Sequence, residues 1–260
     1  MIVNLEALKS AASSFHGADP FDHAIIDNFF VDEIAEALEK EFPAHDQENV
    51  WYNYSNAIEL KRACNNWNLF PKITYKVFDY LNSPAFVEML ADVLGFEKLH
   101  SDPGLNGGGW HYHGKGGKLN THLDYSIHPK LGMQRKLNII VYLNSRWKPD
   151  WGGQLGFWRG AEGQNRPGDL IKSVDPLFNR AVLFDTTQNS WHGLPAPLSC
   201  PDDEARQSIA VYYLRPAPEG TDPRGKALFA PTAEQEGDLE VLELIRMRAD
   251  ERTASTIYRK

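Results

Sequence analysis

Cysteine is scarce in this chain of 260 residues; Cys64 and Cys200 are the two it has. No disulfide framework can organise the fold, so a reducing compartment, the cytoplasm, is expected. Long apolar runs are missing as well. No stretch approaches the roughly 18–20 residues that a membrane-spanning helix requires. The opening residues Met1-Ile2-Val3-Asn4-Leu5-Glu6 lack the basic-then-apolar pattern of a secretory leader. Positive charge is in deficit: 27 Lys and Arg against 35 Asp and Glu give a net charge of -8. That balance argues against a general affinity for nucleic acid or an anionic membrane surface. Low-complexity tracts and internal repeats are absent too. What remains, 42% hydrophobic and 24% charged residues, is the composition of an ordinary soluble globular protein able to bury a substantial core.

The first 99 residues read as helical support. Asp22–Phe30 is a compact apolar strand, and the apolar spacing of residues 31–42 predicts a helix stopped by Pro43. Residues 44–70, aromatic and Asn-rich, read as an irregular loop. Two further helices are predicted over 71–81 and 84–94, the second opened by Pro84 and closed by Gly95. From residue 100 to 216 the period changes. Glycine turns separate short strands such as 137–143, 180–184 and 207–214, the pattern of a β-sandwich or barrel. Residues 217–260 are a C-terminal extension with one helix through Leu239–Met247.

Chemistry is suggested by His122-Leu123-Asp124. On an extended strand His122 and Asp124 share a face. With a later histidine they would form a two-histidine, one-carboxylate metal site, and His192 in Ser190-Trp191-His192-Gly193 is the candidate. Such a facial triad leaves coordination positions open, the arrangement of non-heme Fe(II) oxygenases. The motif is short and the chain has nine histidines, so the plainer alternative is that His122 caps a turn and Asp124 opens a loop. Further along, Arg206 and Ser208 share a strand face, in register to meet one carboxylate. Alternatively Arg206 pairs with Asp202, Asp203 or Glu204. Tyr112 and Tyr142 could hydrogen-bond the same carboxylate or be core tyrosines. Asn120, on the His122/Asp124 face, could touch substrate. Trp51, Trp110, Trp151, Trp158 and Trp191 could line a groove or fill the core. His111 and His113 face opposite to Tyr112; they could form a pair facing the substrate or backing the metal ligands, and the favoured reading is surface or loop histidines.

From Trp110 to about Pro216 the order of motifs resembles the prolyl-4-hydroxylase-like branch of the 2-oxoglutarate/Fe(II)-dependent oxygenases. The run is Tyr112, His122-Leu123-Asp124, Val141-Tyr142-Leu143-Asn144, Gly152-Gly153-Gln154-Leu155, His192-Gly193 and Arg206-Gln207-Ser208. The resemblance implies a double-stranded β-helix, or jelly roll, buttressed by helices. His122 and Asp124 would leave its second core strand, with His192 and Arg206 on the seventh and eighth. It implies Fe(II) on His122, Asp124 and His192, and 2-oxoglutarate held by Arg206 with Tyr112, Tyr142 and Ser208. Ascorbate would serve as reductant. Asp185, Thr186 and Gln188 would lie where substrate approaches, with loops 44–70 and 114–118 as candidate lids. The implied activity is hydroxylation of a C–H bond using dioxygen, in a prolyl residue of a peptide or protein, or in a free amino acid, small metabolite or glycan. A jelly-roll metal-binding module without turnover, or a cupin-type metalloenzyme with a histidine-richer metal shell, are the readings from other classes.

Overall fold

A computed structural model describes residues 1–44 and 46–257. Its N-terminal part holds α1 (Leu5–Ala12), β1 (His23–Ile26), α2 (Asp32–Glu41), β2 (Tyr52–Ser55), β3 (Glu59–Cys64), α3 (Lys72–Asn82), α4 (Pro84–Leu94) and β4 (His100–Ser101). Next come β5 (Gly109–His113), β6 (Lys118–Leu119), β7 (His122–Leu123), β8 (Gln134–Tyr142), β9 (Leu155–Gly160) and β10 (Pro167–Val174). The chain continues through β11 (Ala181–Asp185), β12 (Trp191–Gly193), β13 (Arg206–Arg215), β14 (Leu228–Phe229) and α5 (Leu239–Ala249). The caps follow the residues. Ser83 accepts from the N–H of Phe86 and Pro84 opens α4, while Gly95, at φ 68°, closes it in the left-handed region.

Two antiparallel sheets result. The larger runs β1-β11-β8-β13-β5-β3-β2, with β4 on β13 and β6 on β3; the smaller runs β10-β9-β12-β7-β14. They form a jelly roll. Counted from β5 and omitting β6, its eight core strands put His122 on the second, His192 on the seventh and Arg206 at the start of the eighth. Strand alternation then decides what each side chain does. Leu137, Ile139 and Val141 of β8, with Ile209, Val211 and Tyr213 of β13, pack beneath α1–α4 in the main core. Their neighbours Ile140, Tyr142 and Ala210 point the other way, against Leu155, Phe157 and Val174 of the small sheet. Because both faces of β8 are covered, every residue of it is buried, which is why its second half, Ile139–Tyr142, reads as apolar without alternation.

Three features differ from the sequence reading. Residues 44–70 contain the hairpin β2–β3, whose turn is held by the Asn56 side chain accepting from the N–H groups of Ile58 and Glu59. Its outer strand is largely exposed, so no apolar alternation marks it. The strand at 22–30 ends at Ile26, since Asn28 turns the chain at φ 54°. The C-terminal extension contributes β14, which pairs with β7 and brings Phe229 opposite His122.

Candidate metal and co-substrate site

β7 and β12 are neighbours, with His122 directly opposite His192 and their rings 4.3 Å apart. Each imidazole is oriented from behind. Nδ1–H of His122 donates to the Asn120 carbonyl at 2.9 Å, and that of His192 to the Ser190 carbonyl at 2.8 Å. A carbonyl can only accept, so in both rings the lone pair is left on Nε2. Those two atoms each lie 3.9 Å from an oxygen of Asp124, His122 from Oδ1 and His192 from Oδ2. One ligand atom from each of the three residues fits within 4.8 Å of the others. Arg135 (3.4 Å) and the Tyr212 hydroxyl (3.4 Å) hold Oδ1, while Oδ2 is buried without a hydrogen-bond partner. Burial pushes the Asp124 carboxyl up, but its charged neighbours, Arg135 foremost, outweigh it and hold it below the usual range, so it is ionised. Burial, and then the neighbouring His192, keep His122 well below its ordinary value and neutral. Two directed imidazole lone pairs and a carboxylate with an unsatisfied oxygen are a donor set that suits Fe(II).

A second unsatisfied cluster sits beside the first. Arg206 is buried; its Nε donates to the Gly153 carbonyl at 2.7 Å and its Nη2 to the Tyr142 hydroxyl at 3.2 Å. No carboxylate among the described residues lies within ion-pair distance of it. Cross-strand pairing sets His113 opposite Arg206, His111 opposite Ser208 and Ser208 opposite Tyr142. The Ser208 hydroxyl and both ring nitrogens of His113 are buried without partners. Burial first, then Arg206 and Lys61, depress His113, so it is neutral. A buried guanidinium without a counter-ion, ringed by unspent polar groups, is a socket for an anion. The metal ligands, Arg206, Ser208 and His113 all line one cavity of about 450 Å³.

Residues 108–214, which carry this cavity's ligands, match the family model of the 2OG-Fe(II) oxygenase superfamily. That stretch, rather less than half of the chain, is similar to the superfamily. Over 92 residues it is 30% identical to prolyl 3-hydroxylase OGFOD1 of Xenopus laevis, which covers 34% of this chain and 17% of that protein. The chain thus matches only a fraction of the length of its curated relatives. Among solved structures it resembles a Pseudomonas putida prolyl-4-hydroxylase, with a TM-score of 0.55 and 18% identity over 80% of this chain and 98% of that one. It is similarly close to HygX of Streptomyces hygroscopicus, solved with nickel, 2-oxoglutarate and hygromycin B, with a TM-score of 0.52 and 14% identity over 79% of this chain and 87% of that one. At these identities the likeness speaks to the fold.

Within this oxygenase fold several expected residues fall elsewhere. Tyr112 is not at the anion socket. Its β5 position pairs with Gln207, so it shares Gln207's face, and its ring packs 5.6 Å from Trp51 and beside Arg62. His111 and His113 take the cavity side instead, correcting their reading as surface histidines. Asn120 turns from the cavity to bond the Ala230 carbonyl and Gln235, and acts on the site through the carbonyl that orients His122. Asp185 faces away as well, paired with Lys136 and Thr187. Trp191 is core, packed with Leu123 and Ala230. Gln188 accepts from the backbone of Asp22. Of the two candidate lids, the 44–70 region sends Tyr52, Tyr54, Lys61 and Ala63 of its flanking hairpin to the cavity, whereas 114–118 sends none.

Arg135 and Phe229 were not anticipated. Arg135 lies between the rings of Tyr125 and Tyr212, 3.4 Å from each centroid. A register slip opposite Tyr213/Leu214 makes Lys136 an extra residue, so Arg135 leaves the face of Leu137 and turns inward. Phe229 stacks on the His122 ring at 4.9 Å.

Proposed function

We propose that this protein is a 2-oxoglutarate- and Fe(II)-dependent dioxygenase that hydroxylates an unactivated C–H bond, with a prolyl residue of a peptide or protein as the favoured target. One observation carries the reading: a His-Asp-His donor set and a buried, unpaired arginine open into the same cavity. His122, Asp124 and His192 would hold the metal. Arg206 would hold the distal carboxylate of 2-oxoglutarate, with Tyr142 and Ser208 beside it and His113 in the place expected of Tyr112. Bound iron and 2-oxoglutarate together supply, from dioxygen, the oxidising power that no side chain provides.

The chain's own part is geometric. Asn120 and Ser190 fix the two imidazoles, Arg135 and Tyr212 hold one carboxylate oxygen of Asp124, and Gly153 anchors Arg206 through its carbonyl. Phe184 and Phe229 wall the histidine rings and keep water from them. The prolyl target draws its support from the similarity to prolyl 3-hydroxylase OGFOD1. Hydroxylation of a free amino acid or small metabolite is the second reading, favoured by a cavity of about 450 Å³, a volume that encloses such a ligand.

The test is incubation with Fe(II), 2-oxoglutarate, ascorbate and air against a panel of prolyl peptides and free amino acids. Succinate release matched by product gaining one oxygen atom is expected. Succinate no higher than in a protein-free control, with every substrate, would instead make the protein a binding module without turnover.

A further inference from the structure

A second cavity, of about 440 Å³, shares no lining residue with the first. Strand β7 separates them: His122 and Asp124 line the first, and Leu123 between them lines the second. Thr186, expected where substrate approaches the metal, opens into this second cavity instead. Apart from Leu123, Pro218 and Gly220, its described lining residues are polar or charged. Donors go unspent in that wall. Arg215 gives its Nε–H to the side-chain oxygen of buried Gln134 at 2.8 Å, which fixes the plane of the guanidinium. Among the described residues its two Nη groups have no hydrogen-bond partner, and no carboxylate lies within ion-pair distance. Arg224 donates from Nη1 to Asp222 at 2.7 Å and from Nη2 to the Asp124 carbonyl at 2.9 Å, while its Nε is buried without a partner. The Thr186 hydroxyl is buried without a partner as well. Two carboxylates stand in the wall. Asp222 is spent on the side chain and the N–H of Arg224, and Glu219 is exposed and outside ion-pair distance of both arginines. Buried N–H and O–H groups without acceptors cost free energy, and an oriented guanidinium fork matches an oxyanion.

We propose that this cavity binds a small hydrophilic anion, whose carboxylate or phosphate group is received by Arg215 with Gln134 and Thr186 beside it. The cavity is larger than a bare anion, and its polar wall suits a hydroxylated body carrying the charged group. The site stands apart from the oxygenase reading, because it uses neither Arg206 nor a metal ligand.

The experiment titrates full-length protein in metal-free buffer with glucose 6-phosphate, gluconate and glucose, hydroxylated bodies carrying a phosphate, a carboxylate and no charge. Inorganic phosphate and acetate are the bare-anion probes. At least one anionic probe is expected to bind about tenfold or more tightly than glucose. Whether the phosphate or the carboxylate probes do so identifies the group. That binding should persist in Arg206→Ala, which removes the other anion socket. It should weaken about tenfold in Arg215→Met and about threefold in Thr186→Val, which keeps the side chain's shape and deletes its hydroxyl. Anionic probes that bind no better than glucose, or a preference lost in Arg206→Ala, would overturn the proposal. So would a preference unchanged in Arg215→Met or, should that variant not fold, in Thr186→Val.

Discussion

At the scale of single residues, the two halves of the site answer to different substitutions. Asp124→Ala removes the only carboxylate of the triad and should abolish metal binding by equilibrium dialysis. His128→Ala should not, because His128 faces Asp102 at 3.4 Å rather than the triad. Arg206→Ala leaves the metal ligands intact and should weaken 2-oxoglutarate binding by about thirtyfold or more, the equivalent of roughly 2 kcal/mol for truncating a buried charge partner. His113→Phe should cost about tenfold at the same site, one hydrogen bond to a charged group. An unchanged 2-oxoglutarate affinity in His113→Phe would remove His113 from the site. The sequence made His122 and Asp124 legible because a period of two is local. It misassigned Tyr112 because the face that β5 presents depends on its register against β13, far along the chain, and parity against Arg206 is what selects His113.

At the scale of elements, the turn before β9 is a positioning device. Gly153 is at φ 81°, and a Cβ there would meet the Arg206 side chain at 3.0 Å. Gly153→Ala should therefore shift Arg206 and raise the 2-oxoglutarate concentration needed for half-saturation while leaving metal affinity near the parent value. Calorimetric titration of both ligands checks this. The helices were legible from their apolar spacing and from Pro84 and Gly95, which mark the ends of α4 chemically. The β2–β3 hairpin was not, since its exposed outer strand buries no alternate face. Nor was the inward turn of Arg135. A bulge is a misfit between two strands, and one strand's residues do not display it.

At the scale of the whole molecule, burial of neutral histidines couples stability to pH. His23 and His113 are depressed by burial, and His111 is held down to about 3 by burial, Lys61 and Arg206. The unfolded chain takes up protons on these groups near pH 6.5 while the folded chain does not, so stability is lost as pH falls through that value. His16, raised by its hydrogen bond to Asp22, works in the opposite direction, one group against these three and His122. The melting temperature of the metal-free protein should fall between about pH 7.5 and 5, and less steeply in His113→Phe. Among the described residues no helix is long and apolar enough to cross a membrane, in keeping with the composition.

The central claim is that one cavity holds a metal ion and a dicarboxylate side by side, with His122, Asp124 and His192 on one and Arg206 on the other. Equilibrium binding of 2-oxoglutarate without oxygen, in the presence and absence of Fe(II), tests it most directly. The account predicts that Fe(II) tightens 2-oxoglutarate binding and that 2-oxoglutarate tightens Fe(II) binding by the same factor, with the coupling lost in Asp124→Ala. Equal 2-oxoglutarate affinity with and without the metal would contradict it.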